Sequence, residues 1–125
     1  MSTVLLVEDE ELNRVLVRAI LARAGEPSVR DATLVEAGSL ADARTALAAA
    51  AVVDLILLDV NLPDGNGLAL AAELTAAPAR PTVIALTASV LPHERAAALE
   101  AGCDGFLDKP YAAADLVRII AEHLR

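Results

Sequence analysis

Five side chains in this sequence suit one kind of chemistry: the carboxylates of Glu8, Asp9 and Asp59, the hydroxyl of Thr87 and the ammonium of Lys109. Carboxylates brought close together repel one another, which raises their pKa values. A hard divalent cation relieves that repulsion. With oxygen donors alone, few of them from protein and with water retained, Mg2+ fits best. A hydroxyl and an ammonium, from Thr87 and Lys109, would stand on the other side of Asp59.

Each of these residues falls at the C-terminal end of an expected strand. Leu55-Ile56-Leu57-Leu58-Asp59 is a continuous apolar run ending in a carboxylate, which suits a strand buried on both faces of a parallel sheet. Asn61-Leu62-Pro63-Asp64-Gly65 then enforces a turn. Thr3–Val7 is a first buried strand ending at Glu8-Asp9, and Thr33–Ala37 a weaker second, after a long segment from Glu26 to Ala32. Thr82–Leu86 leads to Thr87-Ala88-Ser89, and Gly105–Asp108 leads to Lys109-Pro110.

Helical spacing appears between the strands. It joins Leu12, Val15, Leu16, Ala19 and Ile20, with Gly25 as terminator, and Leu40, Ala43, Leu47 and Ala50 behind a Ser39/Asp42 capping box. A third helix begins near Gly67, carries Leu70, Leu74 and Ala77, and is closed by Pro78 and Pro81. The fourth starts at Pro92 and reaches Ala101-Gly102, and the last carries Leu116, Ile119, Ile120 and Leu124. The alternation predicts an α/β fold: a flavodoxin-like, doubly wound, five-stranded parallel sheet of order 2-1-3-4-5 with five helices. Strands one and three are then neighbours, about 4.8 Å apart, so Asp9 and Asp59 can share one ion. Asp54 lies roughly 16 Å back along strand three, at the opposite edge.

Composition narrows the function. Ten Lys+Arg against 18 Asp+Glu give a net charge of -8, which argues against a nucleic-acid surface. At 125 residues, 56% apolar, the chain is read as one domain over 1–125 with a real core. No apolar run reaches the roughly 18 residues of a membrane span, no basic signal region opens the chain, and the lone Cys103 is read as a small buried hydrophobe. The expected location is the cytoplasm, with no membrane partner. Nine of the ten basic residues are Arg, and the single lysine, a compact point charge, stands at the end of strand five before Pro110; one Lys among ten cations is by composition alone compatible with chance.

Val7-Glu8-Asp9-Glu10, the run from Asp54 through Gly65, Leu86-Thr87-Ala88 and Lys109-Pro110, in that order at strand ends, resemble the response-regulator receiver domains of two-component signalling. The resemblance is to chemotaxis-regulator-like receivers and spans essentially the whole chain. Asn13-Arg14 with Val15-Leu16 further resembles receivers attached to hybrid histidine kinases. The resemblance implies that Asp59 accepts a phosphoryl group from a phosphohistidine donor in a Mg2+-dependent reaction. It implies that Glu8, Asp9, Asp59 and the Asn61 backbone carbonyl hold Mg2+. Thr87, Lys109 and the Ala88 backbone N–H would bind the phosphoryl oxygens, and Thr87 with Phe106 would switch the face of strands four and five. The implied partners are a histidine kinase or histidine phosphotransfer protein and a downstream protein of unknown identity. The chain would catalyse only its own phosphorylation and dephosphorylation. Glu8 departs from the family, in which Asp is commoner at this place, and Phe106 lacks a hydroxyl, so any switch there is steric.

The sequence fits two other functions less well. A pseudo-receiver that binds protein without being phosphorylated would typically lack a site residue, and none is missing. A flavin or nucleotide enzyme on the same fold would want a glycine-rich loop after strand one, where acidic residues stand instead. His93 and His123 are expected on exposed helix faces, Asp64 as an organiser of the loop, Asp108 pointing away from Lys109, and Tyr111 as packing.

Overall fold

A computed structural model of the chain describes residues 2–49, 52–76, 80–87 and 92–124, with residue 94 as backbone only. The expected features at Ala50, Ala77, Pro78, Ala88 and Ser89 lie outside the described residues. Among the described residues the elements run β1 (Thr3–Val7), α1 (Glu11–Ala22), α2 (Pro27–Arg30), β2 (Thr33–Ala37), α3 (Leu40–Ala49), β3 (Leu55–Asp59), β4 (Asn61–Leu62), β5 (Gly65–Asn66), α4 (Leu68–Thr75), β6 (Thr82–Thr87), α5 (Pro92–Glu100), β7 (Gly105–Asp108) and α6 (Ala113–His123).

The main sheet has the order β2-β1-β3-β6-β7, all pairs parallel. In terms of the five long strands this is the expected 2-1-3-4-5. Strand side chains alternate between faces, so each central strand supplies two cores. Val4, Leu6, Leu55, Leu57, Ile84 and Leu86 pack with α1, α2 and α6. Leu5, Val7, Ile56, Leu58, Val83 and Ala85 pack with α3, α4 and α5. Leu55 through Asp59 are all buried, as the unbroken apolar run requires.

Two local features differ from expectation, and the expected turn after Asp59 takes a defined form. The segment after Gly25 is not a plain connection: Pro27 occupies the start of the short helix α2, where its fixed φ and missing N–H cost nothing, and Val29 plugs into the core. This makes six helices among the described residues where five were expected. The turn after Asp59 folds back as a small antiparallel hairpin, Asn61 opposite Asn66 and Leu62 opposite Gly65. The apolar stripe of α1 faces inward only in part, with Ile20 packed against the core. Val17 and Leu21 are buried, while Leu12, Val15 and Leu16 are 67%, 42% and 51% exposed. Helical spacing identified the helix, but two apolar faces competed for the core.

Gly67 pins the hairpin to the site. Its N–H donates to the Val60 carbonyl at 2.7 Å, and a Cβ built there would lie 2.2 Å from the Asp59 carbonyl oxygen. No side chain fits between these backbones. Gly67→Ala is expected to lower stability by ~2 kcal/mol or more through forced backbone displacement, read as a fall in the urea midpoint at unchanged slope. A midpoint equal to wild type would show that the approach is not required.

Candidate acidic site at the sheet edge

The β1, β3, β6 and β7 ends converge on one edge, and this convergence builds the site. Glu8 follows β1 directly and is anchored to β2 by its N–H donating to the Ala37 carbonyl at 2.9 Å. Asp59 is the last residue of β3. Among the described residues, these two are the buried charged ones, 2% and 6% exposed. Asp9 is exposed beside them, and ligand-type oxygens of Glu8, Asp9 and Asp59 lie within 4.8 Å of one another.

Lys109, just past β7, bridges the two buried carboxylates. Its Nζ is 3.1 Å from Glu8 Oε1 and 3.4 Å from Asp59 Oδ2. The Lys109 N–H donates to the Thr87 carbonyl at 2.8 Å, tying this residue to the end of β6. The Asn61 N–H donates to Asp59 Oδ1 at 3.1 Å. Asn13, on the first turn of α1, donates from Nδ2 to Glu8 Oε1 at 2.6 Å. Glu8 Oε2 is buried with no hydrogen-bond partner among the described groups.

The electrostatics follow from this packing. Burial, reinforced by the adjacent Glu8, pushes the Asp59 carboxyl up to about 7. Burial also works to raise Glu8, but Asp59, Asn13 and Lys109 beside it prevail and hold it below the ordinary glutamate value. The two carboxyls therefore do not ionise together readily. Burial opposes the Lys109 charge, yet Glu8 and Asp59 outweigh it and raise its pKa.

A buried carboxylate oxygen without a donor, beside two further carboxylates, is an incomplete hydrogen-bonding arrangement. A small cation that prefers oxygen ligands fits this donor set.

Thr87 ends β6, paired in register beside Asp108 of β7. Together with Val60, Asn61, Asn66, Arg95 and Phe106 it lines a cavity of about 310 Å³. The Arg95 guanidinium sits 4.6 Å above the Phe106 ring and pairs with Asp108. Asp108 thus points away from Lys109, as strand alternation predicts. The Ala88 backbone lies outside the described residues.

Asp64 organises the loop by accepting from the Leu40 and Ala41 N–H groups at 2.9 and 3.0 Å, which ties the hairpin to the start of α3. Asp54 sits at the opposite edge, accepting from Thr3 N–H. Tyr111 packs against the α1/α6 core, and Cys103 is buried. His123 is a correction: it is half-buried, its Nδ1 2.8 Å from the Ile119 carbonyl oxygen, because the end of α6 packs back on the sheet. In the sequence Asn13 is legible only as part of the Asn13-Arg14 motif. The signal for its role is its position five residues after Glu8, on the first turn of the helix that follows.

The chain belongs to the response regulator receiver domain family, which it matches over residues 4–121. It is 37% identical over 122 residues to the two-component response regulator ORR41 of Oryza sativa subsp. japonica, covering 98% of this chain and 94% of that protein. It is 37% identical over 120 residues to the aerobic respiration control sensor protein ArcB of Escherichia coli (strain K12), covering 94% of this chain and 14% of ArcB. The chain thus spans only a small part of some relatives and nearly all of others. Among solved structures it resembles the receiver domain of the sensor histidine kinase PA1611 from Pseudomonas aeruginosa PAO1, which has a magnesium ion coordinated in its active site cleft (TM-score 0.82, 30% identity, 98% of this chain and 97% of that one). It shares its fold with a two-component response regulator from Clostridium difficile (TM-score 0.88, 20% identity, 100% and 97% covered). The protein is therefore a receiver domain of two-component signalling. Receiver domains bind Mg2+ at an acidic site and interact with histidine kinases or phosphotransfer partners. Among the described residues, no helix is long and apolar enough to cross a membrane.

Proposed function

We propose that residues 1–125 act as one phospho-acceptor receiver in the cytoplasm, with Asp59 taking the phosphoryl group from a phosphohistidine of a histidine kinase or histidine phosphotransfer protein. The observation that carries this reading is the Glu8–Asp9–Asp59 carboxylate group, with Lys109 bridging its two buried members. In the transfer an Asp59 oxygen forms the new O–P bond, the P–N bond to the donor imidazole breaks, and the imidazole leaves with its electron pair. Asn61 N–H on Oδ1 fixes the orientation of the nucleophile. Lys109 and Thr87, at adjacent strand ends, supply a cation and a hydroxyl for the phosphoryl oxygens, with the Ala88 N–H as a further donor.

Glu8, Asp9, Asp59 and the Asn61 carbonyl would hold Mg2+, which neutralises charge on the carboxylates and the transferred group. Positioning and charge neutralisation are most of what such a transfer asks of a protein. Lys109 leaves its carboxylate partners for the new phosphoryl oxygens. Thr87 follows, and the neighbouring Phe106 moves into space that Thr87 vacates, so the β6–β7 face changes shape. That face is where the unidentified downstream protein would read the signal.

Incubation with phosphoramidate and Mg2+ should add a single phosphoryl group to the intact mass. Asp59→Ala should abolish the addition. Equal labelling of that variant would overturn the assignment.

A further inference from the structure

Glu8 brings one more methylene, and so one more rotatable bond, than an aspartate at the same place. A long carboxylate must be ordered before it can hold an ion well, and that ordering costs rotamer entropy. The structure supplies the restraint. Asn13 Nδ2 is 2.6 Å from Glu8 Oε1 and Lys109 Nζ is 3.1 Å from the same oxygen. Both donors fall on Oε1, and Oε2 is left buried with no hydrogen-bond partner among the described groups.

We propose that Asn13 is a positioning residue of the metal site: its amide fixes Glu8 through Oε1 and leaves Oε2 for a divalent cation. This rests on the reading of Glu8, Asp9 and Asp59 as Mg2+ ligands. Arg14, next in sequence, acts on the backbone of the same loop, donating to the carbonyls of Glu8 at 2.7 Å and Asp9 at 3.1 Å. Successive residues of α1 thereby hold the side chain and the main chain of one short segment. A neutral amide is the fitting donor. A lysine or arginine would bring a charge that repels the cation, and an aspartate would bring a carboxylate that repels Glu8. Lys109 cannot replace Asn13, because it is shared with Asp59 and turns to the phosphoryl group on activation. Asn13 is then the donor that stays on Glu8.

A double-mutant cycle with Mg2+ as the sole ligand tests this. Affinity is measured by calorimetric titration in wild type, Asn13→Ala, Glu8→Asp and the double variant. In the Glu8 background, Asn13→Ala should weaken Mg2+ binding about 10-fold, the lower end for partners that orient metal ligands. In the Glu8→Asp background the shorter carboxylate no longer reaches the amide, and the same change should alter affinity less than about 2-fold. Asn13→Leu, of similar volume and without a donor, should repeat the result if the alanine variant folds poorly. Equal losses in both backgrounds, or no loss in either, would overturn the positioning role. Absence of Mg2+ binding by wild type at millimolar concentration would instead overturn the metal reading itself, and this role with it.

Discussion

Asp59→Asn is expected to raise the melting temperature of the Mg2+-free protein by several degrees at pH 8. The amide removes a buried charge that the folded state accommodates at a cost. The size follows from titration: Asp59 moves from an ordinary value of 3.8 to about 7 in the folded protein, and a displacement of that order is linked to a few kcal/mol of stability. The native state holds the extra proton between these values. The stability tied to it is fully present below 3.8 and is lost as pH rises through about 7. Glu8, held below its ordinary value of 4.5, works the other way: its contribution is present above that value and is lost in more acidic solution. Thermal melts of wild type without Mg2+ should therefore fall between about pH 4 and pH 7, whereas Asp59→Asn should be much flatter there. Mg2+ should restore the wild type by binding the folded state alone and should raise Asp59→Asn less. A variant no more stable than wild type at pH 8 would contradict a self-repulsive pocket.

The second large effect concerns Lys109. Its ammonium stands between Glu8 and Asp59, and its side chain is 25% exposed. Lys109→Ala removes the cation and leaves two buried carboxylates facing one another. Breaking a buried ion pair from one side costs ~3 kcal/mol or more, so this variant should melt well below wild type without Mg2+. Lys109→Arg keeps the charge and the fold. Its planar fork cannot reproduce a point charge between two oxygens 3.1 and 3.4 Å away. Beryllofluoride should still bind at Asp59 in the arginine variant, but the switch should be uncoupled. Amide NMR shifts on activation, spread through β6 and β7 in wild type, should shrink to the residues around Asp59. Shifts matching wild type would show that Lys109 is a replaceable charge.

Much of this architecture is legible in the sequence, for a physical reason. A strand buried on both faces must be apolar throughout, so Leu55–Leu58 and Val4–Val7 announce themselves, and the polar residues that end them mark the functional edge. Strand order and the grouping of Glu8, Asp9, Asp59 and Lys109 follow. Short elements are less readable. Pro27–Arg30 is one helical turn, too brief for periodicity, although Pro27 at its start was a usable signal. The Asn61–Asn66 hairpin is set by two glycines rather than by pattern: Gly65 has a φ of 148° and lies over Leu40, and Gly67 abuts Asp59. On α1 the apolar residues outnumber the positions that the core can take, so spacing alone could not tell Val17 and Leu21 from the exposed Leu12 and Leu16. The Asn13–Glu8 contact depends on side-chain rotamers, which sequence does not specify.

The position of the phosphoryl group itself identifies the acceptor. Borohydride reduces an aspartyl phosphate to homoserine, and tandem mass spectrometry then reads which residue has changed. After treatment with phosphoramidate and Mg2+, homoserine is expected at position 59 alone and not in samples given EDTA. Conversion at Asp9 or another carboxylate, or no conversion at 59, would contradict the assignment of Asp59 as the acceptor.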